Sequence, residues 1–279
     1  MHYETLGAAL LAGIFLSGCT ESPRYDKDLA NLKTGNCVMC DARYADLSDL
    51  VFDKATFSGT YFYNANLTNS SFKGGDFRAA TFTLANLARA NLADTDISRA
   101  TFEDALVSGA TFQRANGAQA NFKGANLESV ELSGAILTAA DFSNAILDNV
   151  FAVDTNLMSS TLWQASMKQV NFKSVNLEGA NLSGANLQGS TLEMVSFKGA
   201  NLSGVDFSNS TILYANFSGA NLLGAKMNGA VIFGSNFSQA NLSNADLLNA
   251  TLNVSISDGA VFCGVRMPNG TRSKSCFPG

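Results

Sequence analysis

Large apolar residues recur at every fifth position from Leu32 to Met267 without losing phase. Of the 48 positions in this column, 43 hold Leu, Phe, Ile, Met or Val; the exceptions are Cys37, Ala42, Gly117, Ala152 and Ser257. Sixteen of the 20 phenylalanines fall in it, so the column, rather than hydrophobicity in general, selects them. A second column runs two residues earlier, from Ala30 to Val265, and is small at every position except Leu50.

Neither regular element fits a period of five. An α-helix advances about 500° per unit at that period and smears the apolar residues around its cylinder. A continuous strand would place alternate Leu and Phe side chains on opposite faces, half of them in water. The chain must therefore turn once per unit. Within the extended part of a unit, residues two apart point the same way, so the small and large columns both face inward, and the two residues after the large one form the corner.

Units such as Ala180-Asn181-Leu182-Ser183-Gly184 and Ala240-Asn241-Leu242-Ser243-Asn244 resemble the pentapeptide-repeat family. The resemblance covers residues 30–267. It implies an all-β fold: a right-handed quadrilateral parallel β-helix with four units per square coil and about twelve coils. At about 4.8 Å between stacked strands the rod would be roughly 55 Å long. Each coil leaves backbone groups and core uncovered until neighbours stack on it, so stability is a sum over coil interfaces. The Asn181, Asn201, Asn221 and Asn241 amides should stack and hydrogen-bond along the axis. Gly117, lying between Ile97 and Leu137 one coil away on either side, and Ala152 predict underfilled coils, with residues 115–120 locally soft.

Composition agrees with a folded chain: 46% hydrophobic, 15% charged, 24 Gly and only 3 Pro in 279 residues. The net charge is −5, with both signs interspersed. That leaves no basic patch for nucleic acid and no dense acidic stripe. The one histidine is His2. Nucleophile–base and zinc sites that rely on histidine therefore have no source in the rest of the chain, and no cofactor or metal site is expected.

Residues Leu6–Ser17 form an apolar run too short to span a bilayer, ending in Leu16-Ser17-Gly18-Cys19. These four residues resemble the lipobox of bacterial lipoproteins, which implies a signal peptide over 1–18 and acylation of Cys19. Several acyl chains at about 0.8 kcal/mol per buried methylene would hold the chain to a membrane. The stretch before the apolar run, MHYET, departs from the pattern in having no Lys or Arg. Residues 19–29 then read as linker and 268–279 as a C-terminal cap.

Each end of the repeat carries two cysteines, Cys37 with Cys40 and Cys263 with Cys276. In an exported protein these are disulfide candidates, and Cys263–Cys276 would pin the tail. The C-x-x-C pair is also compatible with a redox motif, half a metal site or haem attachment, but no histidine follows it, which favours a structural cap.

Outward apolar residues are the candidate partner contacts: Tyr63 and Trp163 on one face five coils apart, and Ile136, Ile146 and Phe151 as an apolar middle region. Asp76 and Asp96 should stack one coil apart as a solvated pair. The expectation is a non-enzymatic, lipid-anchored scaffold or protein-binding surface of the bacterial cell envelope, on the periplasmic face of the outer membrane in a cell with two membranes. The alternative is a cytosolic repeat protein that binds DNA gyrase by mimicking DNA.

Overall fold

The computed structural model describes residues 28, 31–254 and 256–273. The signal segment 1–18, Cys19 and Cys276 lie outside them.

Parallel bridges join residue i to residue i+20 throughout, from Asn36↔Thr56 to Asp246↔Arg266. Four ladders of outward residues result: the Asn36, Asp41, Asp46 and Val51 faces, each taking one residue per coil. The cross-section is thus four-sided. From Asn36 to Arg266 are 231 residues, about eleven and a half coils of twenty. On the Val51 face the bridges lengthen into a six-stranded parallel sheet. Its strands are β1 (Phe151–Val153), β2 (Asn171–Lys173), β3 (Thr191–Glu193), β4 (Thr211–Leu213), β5 (Val231–Phe233) and β6 (Thr251–Asn253), paired in chain order.

One unit shows why the repeat reads as it does. Leu182 and Gly184 donate their N–H groups to Asn201 and Ser203 of the next coil at 2.8 and 2.9 Å, and Asn181 donates to Ser160 of the previous one at 2.9 Å. Ala185 closes the corner on Leu182 O at 3.0 Å. The N–H of Ser183 is left over, and Asn181 Oδ1 accepts it at 3.2 Å. The same bond recurs at Asn121, Asn176 and Asp206. An unpaired N–H at a corner would cost about 1–3 kcal/mol, so Asn or Asp at the outward position is selected first by its own turn. Along the axis, Asn201, Asn221 and Asn241 also donate Nδ2 to the preceding Oδ1 at 3.2, 3.3 and 3.5 Å, as the sequence pattern predicts.

The second corner residue is left-handed in every unit from Met39 to Asn249, with φ of +70° at Gly184 and between 52° and 62° for the non-glycine residues. Glycine takes this region without the penalty a side chain meets there, which explains its frequency at that position.

Inside, the two inward columns are buried almost without interruption. Phe62, Phe82, Phe102, Phe122 and Phe142 form one stack with ring centroids 4.6–4.9 Å apart and planes within 9° of parallel. Serine and threonine in the small column return their hydroxyls to backbone carbonyls, as Ser70 does to Leu47 at 2.6 Å and Ser160 to Leu157 at 2.7 Å. Every buried side-chain polar atom among the described residues is satisfied.

Two sequence expectations are corrected. Among the described residues bridging begins at Asn36, inside the 30–267 bound: residues 31–33 are helical, and Leu32, although on the frame, is a lid over the core. There the Asp28 carboxylate accepts the N–H of Asp41 at 3.1 Å, covering a donor at the edge of the first described coil. Gly117 leaves no gap, because a Cβ there would stand 2.7 Å from Leu137 Cδ2 and 3.2 Å from Ile97 Cδ1. The neighbouring coils have filled the site, and its ladder bond to Ile136 O is an ordinary 2.7 Å. At the other end the chain folds back after Met267, with Arg266↔Arg272 antiparallel and Ser273 N donating to Val265 O at 2.8 Å. Among the described residues β6 is the last strand of its sheet, and Leu252, on a column that is mostly buried, is 36% exposed.

Two thermal-unfolding experiments test this packing. Leu182→Asp buries an unpaired charge between coils and should cost several kcal/mol, whereas Ser183→Asp at the corner should cost about 1 or less. Gly117→Leu should destabilise by about 1–3 kcal/mol through overpacking; stabilisation would show that the site is underfilled.

Candidate interaction surface

With both inward columns packed, any ligand must meet the outer faces, so the candidate surface is assembled from outward and corner residues. Trp163 is exposed at a corner following the Asp41 face, and Tyr63 occupies the equivalent place five coils away. Tyr63 is half-buried, with the Tyr44 ring edge-on at 5.7 Å, and it offers less free surface than its position implies.

Ile136, Ile146 and Phe151 are all exposed, but they do not form one region. Ile136 lies on the Asn36 face, Ile146 on the opposite Asp46 face and Phe151 on the Val51 face between them. Proximity in sequence misled because five residues of chain turn one corner, so near neighbours in sequence look out in different directions. Neighbours on a face are twenty residues apart.

That spacing brings together a surface the sequence reading missed. On the Val51 face and its corner, Met194, Tyr214, Val231, Phe233 and Val254 are exposed in successive coils. The Tyr214 and Phe233 rings meet edge to face at 5.6 Å and 90°. Tyr214 stands over Gly234, where a Cβ would fall 2.5 Å from its Cδ1. Two signals were available: Phe233 is one of four phenylalanines off the inward column, and Met194 and Tyr214 place bulky side chains at left-handed corners, with φ of 54° and 56°. Large residues are uncommon in that region.

Asp76 and Asp96 do stack one coil apart. Each is occupied locally: Arg78 donates to Asp76 through Nε at 2.9 Å and Nη2 at 2.7 Å, and Asp96 accepts from Ser98 N at 2.9 Å and Asn116 Nδ2 at 3.3 Å. The hydrogen bonds from Arg78 hold the Asp76 carboxyl below the usual carboxylate range against the opposing effect of burial. Arg114 does the same for Asp94, paired at 2.6 Å. A shallow groove lined by Ser58, Arg78, Asp96, Ser98, Arg99 and Gln119 runs beside the first pair. No group of three or more possible metal ligands occurs among the described residues.

Cys37 and Cys40 form a disulfide between adjacent large and small inward positions, and both are buried. Cys263 is disulfide-bonded as well.

The sequence matches the pentapeptide repeat region family over residues 65–142 and 125–202. It also matches the eight-copy pentapeptide repeats family over 36–69, 45–83, 200–239 and 212–249. Together these matches run from residue 36 to 249, most of the chain. The chain belongs to the pentapeptide-repeat family. Among solved pentapeptide-repeat structures it is similar to HetL, a protein involved in heterocyst differentiation regulation in the cyanobacterium Nostoc sp. strain PCC 7120. The identity is 26% over 88% of this chain and 97% of that one, with a TM-score of 0.41. It is also similar to QnrB1, a plasmid-mediated fluoroquinolone resistance protein, at 18% identity over 64% of this chain and 92% of that one, with a TM-score of 0.37. A pentapeptide-repeat protein of the Arabidopsis thaliana thylakoid lumen matches at 26% identity over 40% of this chain and 68% of that one, with a TM-score of 0.20. No curated protein matches the chain.

The Asp76 pair makes a pH prediction. A carboxyl whose folded pKa is depressed adds stability that is present above its unfolded value of about 3.9 and is lost as pH falls through the lower folded value. Carbon-detected NMR titration should place Asp76 below the ordinary Asp range in the wild type and return it toward that range in Arg78→Gln.

Proposed function

We propose that this pentapeptide-repeat protein is a non-enzymatic scaffold whose outer faces bind protein and which is anchored by lipid on Cys19 to the bacterial cell envelope. Its filled core leaves no internal site for a substrate, and recognition falls to the faces. The observation that carries the location is covalent: cysteines near both ends of the solenoid are in disulfides. Such bonds persist in oxidising compartments and are rare in the cytosol, which agrees with the export segment before Cys19. In a cell with two membranes the periplasmic face of the outer membrane is the proposed site.

The same observation weighs against the alternative, a cytosolic gyrase ligand shaped like DNA. So does the charge distribution, because both signs are interspersed along the rod and nine of the described acids are paired with Arg or Lys, as in Asp94–Arg114, Glu178–Lys198 and Glu193–Lys173. Paired charges do not make the continuous acidic field that a DNA mimic requires.

Metabolic labelling with palmitate tests the anchor. The wild-type chain should take up label and sediment with membranes, and Cys19→Ala should abolish both. Label that survives the substitution, or wild-type chain recovered from the cytosol, would overturn the reading.

A further inference from the structure

The Val51 face differs from the other three in its last coils by its cluster of exposed Tyr214, Val231, Phe233 and Val254; freedom from charge it shares with the Asp41 face, whose units 181–184, 201–204, 221–224 and 241–244 are also uncharged. Residues 211–214 (TILY), 231–234 (VIFG) and 251–254 (TLNV) contain no charged side chain, while the rungs before them carry Lys173 and Glu193, paired with each other at 3.1 Å. The face is a regular hydrogen-bonded sheet here, from β3 to β6. Its outward residues divide into two strips along the rod. One is bulky: Met194, Leu213, Tyr214, Phe233 and Val254, with Tyr214 56% and Phe233 42% exposed. The other is low: Thr191, Thr211, Val231 and Thr251, the first residues of successive strands.

We infer that this face pairs with the same face of a second copy, in a two-fold dimer whose rods lie side by side and point the same way. Three observations select that occupant. Its one charge, Glu193, is neutralised by Lys173 at 3.1 Å, so two copies meet without like-charge repulsion, and a charged partner gains little from it. An aromatic side chain presents roughly 150–250 Å² when uncovered, so the half-exposed apolar groups here leave on the order of 500 Å². Two copies would then bury about 1,000 Å², the lower limit for a specific interface. The strips fix the orientation. A two-fold axis along the rod reverses the strand direction across the interface and lays the bulky strip of each copy on the low strip of the other, Tyr214 over Thr211. An axis across the rod would drive bulky strip against bulky strip.

The rings are also held in place beforehand. Tyr214 is fixed over Gly234 and against the edge of Phe233, so docking orders little that is free. The parallel arrangement puts both amino-terminal ends at the same end of the dimer, consistent with the proposed anchor but not dependent on it.

Benzophenone photo-cross-linking from position 214 of the full chain, in the cells that produce it, tests the inference. The expected product has twice the chain mass, with the cross-linked peptide containing Thr191 or Thr211; the same probe at Trp163 should give none. The double substitution Tyr214→Lys with Phe233→Lys should weaken self-association at least about thirtyfold in sedimentation velocity, the loss typical of an interface anchor. At concentrations low enough for both to be monomers, its unfolding midpoint should equal the wild-type value, which separates lost pairing from lost folding. A wild-type chain that sediments as a monomer, an adduct from position 214 to a different protein, or a dimer that survives the double substitution would each overturn it.

Discussion

A backbone ladder with a twenty-residue step governs this molecule. Each unit gives its large residue and its second corner residue to the next coil and its outward residue to the previous one, as Leu182, Gly184 and Asn181 do. One N–H per unit then has no backbone acceptor, and the Asn or Asp carbonyl oxygen supplies it. The outward polar column, the left-handed corner and the inward columns all follow from closing that circuit with no buried donor left over.

The ladder also explains the ends. A solenoid coil is satisfied only between neighbours, so the first and last coils need other partners. Residues 31–33 and Asp28 provide them at one end, beside the Cys37–Cys40 disulfide. At the other, the chain reverses after Met267 and covers the Asp46 face. The last strand of the sheet and the apolar face meet at Leu252 and Val254, both exposed.

Packing adjusts where the column falters. Gly117 was legible as a missing side chain, yet Ile97 and Leu137 occupy its space. Residues twenty apart share one stack, so a vacancy in one coil can be filled by rotamers in two others. The paired carboxylates behave similarly. Asp76 and Asp96 stack as the period requires, but each is committed to a nearby donor and neither is free for chemistry.

The sequence by itself determined the period, the inward columns, the outward Asn ladder and the corner, because one hydrophobic frame repeats over more than two hundred residues and admits one way of turning. It also placed Cys37 and Cys40 on inward positions, and the structure added that they bond to each other. Only the tertiary structure decided which outward residues share a surface. Ile136, Ile146 and Phe151 lie close along the chain and look out from three faces, whereas Met194, Tyr214 and Phe233 lie about twenty residues apart and stand together. The reason is geometric: a corner every five residues turns sequence neighbours away from each other, and the stacking of coils returns the twentieth residue to the same face.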